Sequence, residues 1–414
     1  ADGTFRPTGT LSGNAFMKML LGALGYDSAK EGYTGTNWTV NVIKQAVGIG
    51  LDDGNDNFVG SQAVTRQEAC LYAFNTLQAT MVEYSDNSTV TVGDITINTQ
   101  GSYSDVSNTT RTDGNIEDDE LMQFAERYFT DLEAEDDTDS FGRPATTWVY
   151  DGTELGTYAN DADETFVVDD TTDTLQTLMT DGDCLNYSSS HINSDAAVYF
   201  NGTDEGTYSE NRNVALAGKG DIVEVYEDSR GNAETIVFRS YTYAKVDTVD
   251  TSLSSTHTNR GASVGIELVD IDDNSVGTYY NDYNSDSKIL KGYNSSYTEG
   301  TVLAVAYGES GAVLDSYIAE SVTGTPTAAR EVQLYSNGYV RNGTITIDGT
   351  RYTYAGQMTG IGEGENVDFD QEYTIYLTAE GYVLAVDGDS TAALDDVYYV
   401  AGVYRETSRG RTSY

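Results

Sequence analysis

Apolar residues recur along this chain with two different periods. Up to Tyr84 they fall mostly at helical spacing; beyond it they alternate at a period of two, with Tyr, Val and Thr set between Gly, Asn and Asp pairs. Phe16, Met19, Leu20, Ala23 and Leu24 make a stripe behind Ser12, an N-cap, and the stripe ends at Gly25, which suits a left-handed helix terminus. Trp38, Ile43, Ala46 and Val47 mark a second helix that stops at Gly48. A third opens at Thr65, with Glu68 three residues on to form a capping box, and carries Ala69, Ala73, Phe74 and Leu77 on one face. Cys70 lies beside that stripe and is expected to be buried. A fourth helix is predicted over residues 117–132, where Leu121, Phe124, Ala125, Phe129 and Leu132 keep helical spacing behind an acidic first turn. Residues 133–140 read as a charged linker.

Strands are predicted at Ser88–Val92 and at 95–97, and then almost continuously from Phe141. Three segments repeat. Gly220-Asp-Ile-Val-Glu-Val-Tyr leads to Gly231, Gly300-Thr-Val-Leu-Ala-Val-Ala-Tyr leads to Gly311, and Asp370-Gln-Glu-Tyr-Thr-Ile-Tyr-Leu leads to Gly381, each pair eleven residues apart. A strand follows each Gly, so the unit is a β-hairpin whose loop needs positive φ. Gly-Thr-Tyr at 156, 206 and 277 is a looser echo, expected after a strand. The fold class expected is α+β and multi-domain: a helical segment over 1–84, short strands, an acidic helix and a linker over 85–140, then small antiparallel β modules over 141–250, 251–325 and 326–414, each a sandwich or barrel. One large β-sheet domain is the alternative.

The helical segment is itself repeated. A shift of 53 positions sets Phe58 over Phe5, Val64 over Leu11, Thr65 over Ser12, Ala73 over Leu20 and Leu77 over Leu24, the mark of a tandem module. A Trp-led helix, Gly48-Ile49-Gly50, an acidic Gly loop, Phe58, then Thr65-Arg66-Gln67-Glu68-Ala69 opening a helix: this order resembles the S-layer homology (SLH) module of bacterial cell-surface proteins. Asp2-Gly3-Thr4-Phe5-Arg6-Pro7 is similar to the end of the same loop in a preceding module, so sequence upstream of Ala1 is expected. The resemblance implies that Arg66 faces a groove for an anionic, pyruvate-bearing wall polysaccharide, with Thr65 and Glu68 expected to share in binding the polymer and Trp38 as a stacking face or a core residue. In the first copy Gly13 stands where Arg66 does and Ala15 where Glu68 does, so that copy is expected to have kept packing and lost wall binding.

Charge narrows the partners. With 67 acidic and 22 basic residues in 414, the formal charge is −45, which repels nucleic acid and anionic lipid. The acidity serves either solubility or bridging by divalent cations. A hydrophobic fraction of 38% with 11% aromatic is that of an ordered protein. Cys70 and Cys184 are too far apart in sequence to indicate a redox compartment, and no apolar run is long enough for a membrane span.

Catalytic patterns are sparse. His191 and His257 sit in polar surroundings, HExxH and GxSxG are absent, and Ser285 with Lys288 falls in a turn-rich tract. Asp52, Asp53 and Asp56 crowd one loop that either holds Ca²⁺ or is a plain turn, and the same choice applies to Asp270, Asp272 and Asp273; no other cofactor is expected. The reading is therefore a non-enzymatic, extracellular structural protein of the cell wall and surface, self-assembling and anchored to wall polysaccharide. A wall-anchored adhesin or glycan-binding protein is the alternative, and a wall hydrolase the less favoured one. Arg405, Arg409 and Arg411 against a single Glu406 form a basic end, expected to dock on the acidic surface of the next copy.

Overall fold

In the computed structural model, which describes residues 9–85, 88–92, 95–99, 101–108, 115–117, 119–283, 287–336, 338–365, 367–388, 406–408 and 411–413, the chain is mostly β, with small sheets after an N-terminal helical segment. It divides into two units, residues 1–138 with 145–159, and residues 139–144 with 160–414.

The first unit opens with three helices, α1 (Gly13–Leu24), α2 (Trp38–Gly48) and α3 (Arg66–Gln78). Ser12 caps α1 by accepting from the Ala15 amide, and Gly25 ends it at φ 110°. Of the stripe expected on α1, Leu24 is buried and Phe16 and Leu20 pack half-buried on the core, whereas on α3 the buried face lies one residue from the expected one. The buried faces are Met17, Leu21 and Leu24 on α1 and Tyr72 and Thr76 on α3, while Met19, Ala23 and Ala73 are exposed and Cys70 lies on the surface. Tyr72 explains the shift on α3. Its ring meets Phe58 and Phe16 at 5.6 and 6.5 Å, and Asn55 satisfies its hydroxyl at 2.6 Å, so a polar-tipped residue sits at the centre of the core. Phe74 instead packs on Trp148 at 5.2 Å.

The two copies of the repeat pair directly. The Val64 amide donates to the Leu11 carbonyl and the Gly13 amide to the Gln62 carbonyl, each at 2.9 Å. A Cβ on Gly13 would stand 3.0 Å from the Phe58 ring and 3.1 Å from the Gly60 Cα, so a side chain there would have to push its neighbours aside, where the second copy carries Arg66. Close packing thus explains the departure from the repeat.

The helix expected over 117–132 shrinks to Phe124–Tyr128, and the linker expected over 133–140 is the strand Leu132–Thr138 and its turn. Bridges from Thr80 to Gln123 and from Ser107 to Leu121 hold the approach extended, and Leu132 packs with Trp148, Ala125 and Ile116. Tertiary pairing outweighs the local period here. Leu132–Thr138, Pro144–Tyr150 and Thr153–Ala159 form a three-stranded sheet.

The second unit holds three larger sheets. They span Glu164–Val167 to Ala233–Arg239 (five strands), Thr242–Asp250 to Val313–Ile318 (five) and Glu320–Gly324 to Val383–Gly388 (six). They are open, not sandwiches or barrels, and the first and last each contain one parallel pair, Ile192–Phe200 with Ala233–Arg239 and Thr350–Thr359 with Val383–Gly388. Each closes its own core, and a further cluster joins them, with Val237, Tyr243, Ala304, Leu314 and Leu384 among its members. Shared packing removes the need for each sheet to close on itself. Cuts at 250 and 325 would divide sheets, because Thr242–Asp250 pairs with later strands and Glu320–Gly324 pairs with Tyr373–Leu377.

Two turn chemistries set the registers. Asp151-Gly152, Asn201-Gly202 and Asp348-Gly349 have positive φ at both residues, the two-residue hairpin turn expected of such pairs. The other kind joins six hairpins among the described residues: the amide of the first residue donates to the carbonyl of the fifth, and the amide of the fourth, at positive φ, donates to the first carbonyl. Gly231, Gly311 and Gly381 are three of these fourth residues, as expected, and Gly142, Gly338 and Asp273 are the others. Asp273, at φ 60°, is a residue type that tolerates the left-handed region. Where Asp comes first, its carboxylate caps the turn: Asp228 Oδ1 accepts from the Arg230 and Asn232 amides at 2.8 and 3.0 Å, and Asp270 Oδ1 from those of Asp272 and Asn274 at 2.9 and 2.8 Å. These bonds, with the Asn232 side chain foremost at Asp228, hold both carboxyls below the usual range. At 156 and 277 the Gly-Thr-Tyr lies inside a strand rather than after one, and at 206 it ends the strand, with Tyr208 opening the short helix Tyr208–Asn211; each Gly is paired at a β-bulge, opposite Trp148, Val198 or Leu268.

Gly13→Ala is expected to destabilise the helical unit by about 1–3 kcal/mol, since the added methyl meets backbone as well as ring. An unchanged urea midpoint for helix unfolding would show that the two entrances are not packed this closely.

Candidate functional site

The entrance of α3 is built by its capping box. Thr65 Oγ1 accepts from the Glu68 amide at 3.2 Å, and Glu68 Oε2 accepts from the Thr65 amide and hydroxyl, both at 2.7 Å. These bonds, the Thr65 amide first, draw the Glu68 carboxyl below its ordinary value. Thr65 and Glu68 therefore satisfy each other, and what they contribute is position. Arg66, the next residue, is exposed and has no ion pair or hydrogen bond among the described residues. A cation at a helix start opposes the helix dipole, so α3 gains nothing from it.

Trp38 begins α2, packs half-buried on the helical core and carries Lys18 Nζ at 5.4 Å over its ring, while that ammonium donates to the Tyr33 carbonyl at 2.6 Å. No hydrogen bond, ion pair or ring contact joins Trp38 to Arg66 among the described residues, so the two stand as separate features. In the loop after α2, Asn75 Nδ2 occupies the carbonyls of Leu51 and Asp53 at 3.2 and 2.9 Å, which ties Asp52 and Asp53 into a turn braced by α3. At the other tract, Asp270 caps its own hairpin and Asp273 pairs with Lys245. His191 lies beside Ser188 and His257 stacks on Tyr280 at 4.3 Å, in different sheets' surroundings. Ser285 lies outside the described residues, as do Arg405 and Arg409; Arg411 starts the short strand Arg411–Ser413.

A second candidate site was not visible in the sequence. In the second unit Lys219, Arg330 and Arg351 line one polar cleft of about 470 Å³. Register explains the convergence: Arg330 pairs with Thr344 and Thr344 with Thr353 on neighbouring strands, so the three side chains share a face. Asn342 and Arg351, two residues along their own strands, join that face. Lys219 arrives from the first five-stranded sheet on a segment held tightly at Gly218, whose added Cβ would meet the Gly356 Cα at 2.8 Å, and the Lys219 carbonyl accepts from the Gly356 amide at 2.7 Å. Asp169, Glu380 and Tyr382 complete the walls. Arg330 and Arg351 are exposed, and none of the three cations has an ion pair among the described residues. The only local signal was the polar alternation Asn342-x-Thr344 and Arg351-x-Thr353 around the Asp348-Gly349 turn.

Asp221 anchors the Lys219 segment. It is buried, and its Oδ2 accepts from the Gly218 amide at 2.7 Å. Burial pushes its carboxyl from 3.8 up to about 7, against the opposing pull of the Ser240 hydroxyl and the Gly218 amide.

No known protein-family model matches the chain, and no curated protein matches it. Among the described residues no helix is long and apolar enough to cross a membrane.

Because Asp221 binds its proton more tightly folded than unfolded, its contribution to stability is complete below about 3.8 and is lost as the pH rises through about 7. Asp221→Asn, which keeps the shape without the charge, is expected to gain in Tm over the parent chain as the pH goes from 5 to 8. A Tm difference independent of pH would mean that Asp221 does not titrate in this range.

Proposed function

We propose that this chain is a secreted structural protein of a bacterial surface, non-enzymatic, which attaches to an anionic wall polysaccharide at the entrance of α3 and assembles with copies of itself. The observation that carries the attachment is Arg66: an exposed guanidinium without a partner among the described residues, set by a capping box at a helix end that disfavours it, in a chain of net charge −45. A guanidinium fork matches a carboxylate such as a pyruvate substituent provides. The order of motifs around it, which resembles the SLH module, supports the same reading. Use of carboxylates as turn caps supports a structural role for much of the acidity. A second reading, a wall-anchored adhesin or glycan-binding protein, is favoured by the cationic cleft of the β unit.

Arg66→Ala is expected to lower co-sedimentation with purified cell wall several-fold, while Lys44→Ala, which removes an exposed cation from α2, leaves it unchanged. Equal losses from the two would reduce the effect to net charge and remove Arg66 from its assigned role.

Assembly through the basic end gives a separate expectation. Replacing Arg405, Arg409 and Arg411 by Glu should shift light scattering from polymer toward monomer, and raised NaCl should do so partly, because such pairing is screened over roughly 8 Å at physiological salt. Assembly of the replaced chain at the parent rate would assign the contact to the β sheets instead.

A further inference from the structure

We propose that the cleft lined by Lys219, Arg330 and Arg351 is a binding site for an acidic saccharide, a sugar chain bearing carboxylates. The inference does not rest on attachment through Arg66, which lies in the other unit.

Three of the chain's 22 basic residues meet in one cleft although acidic residues outnumber them threefold, 67 to 22. Two of the three are guanidinium groups, whose paired N–H donors fit a carboxylate in two-point contact. None of the three has an ion pair among the described residues, and although Lys219 already interacts with Asp170, the two guanidinium groups stand available to a ligand.

The rest of the cleft separates a sugar from other anions. Asn342, Thr344 and Thr353 add neutral donors and acceptors, and Asp169 and Glu380 add acceptors, all suited to hydroxyl groups. An acidic protein face would leave these hydroxyl and amide groups unused. Tyr382 presents a half-buried ring at the wall, the kind of apolar surface on which a pyranose face packs. The volume, about 470 Å³, lies within the range of small-ligand sites and takes one or two sugar rings at a time.

Calorimetry of the full chain with trigalacturonic acid, and with neutral galactotriose as the comparator, tests this. Expected are binding of the acidic trisaccharide, at least about tenfold weaker binding of the neutral one, and about tenfold loss in each of Arg330→Gln and Arg351→Gln, as for a lost charge-assisted contact. Both arginines are exposed on strand faces, and unchanged thermal unfolding of these variants confirms that the loss is local. Arg351→Lys should retain part of the affinity. Arg66→Ala should bind as the parent does, so failure of wall attachment and failure of this site are told apart. The proposal is overturned if the parent chain does not bind trigalacturonate, or if neither arginine replacement weakens it. Poly-glutamate or inorganic sulfate competing as strongly as the saccharide would overturn it too, since the site would then read charge alone.

Discussion

A single backbone requirement recurs through the β unit and decides most of what it does. At the fourth residue of a hairpin tip the chain must take a left-handed conformation, which Gly231, Gly311 and Gly381 adopt without steric cost and Asp273 tolerates. The turn then adds one residue on one side, and the register shifts at the same place in each repeat, next to Glu227, Tyr307 and Leu377. Since a strand's side chains alternate, that fixed register selects which residues face inward. It buries Val225, Val305 and Ile375 and sends their neighbours elsewhere. The cationic cleft follows from the same alternation, because Arg330, Thr344 and Thr353 stand in line across three strands only in this register.

Acidity has a structural use at those same tips. A carboxylate at the first position accepts from two backbone amides that the turn leaves unpaired, and the fifth residue donates back to it: Asn232 to Asp228, Asn274 to Asp270, Arg143 to Asp139. Asp228 and Asp270 are best served ionised, so their charge and their fold role coincide. Asp221 is the opposite case. Buried between neighbouring sheets of one unit, it accepts the Gly218 amide yet lacks a cation, and burial favours its neutral form.

In the helical unit a repeat has become asymmetric under packing. Residues equivalent by the 53-position shift, Leu11 and Val64, bond to each other, which brings the two helix entrances against one another. Contact with Phe58 and Gly60 crowds the first entrance around Gly13, while the second keeps an exposed Arg66. A duplicated element can thus be close-packed in one copy and leave a charged side chain exposed in the other.

What the amino-acid sequence determined by itself was whatever rests on neighbours in the chain: the caps at Ser12 and Thr65, the stop at Gly25, the Asp-Gly and Asn-Gly turns, and the three repeated hairpins with their glycines. Local hydrogen bonds and φ preferences need no distant partner, so they are legible in order. Phase and convergence are not local. The tertiary structure placed Tyr72 rather than Phe74 in the helical core, and turned the helical period after Phe129 into a strand against Trp148. It opened the sheets and joined them through one shared cluster. It also gathered Lys219, Arg330 and Arg351, more than a hundred residues apart from first to last, into one cleft. Those outcomes depend on which surfaces meet, and the energy of burying one face over its neighbour is settled only when the partner is in place.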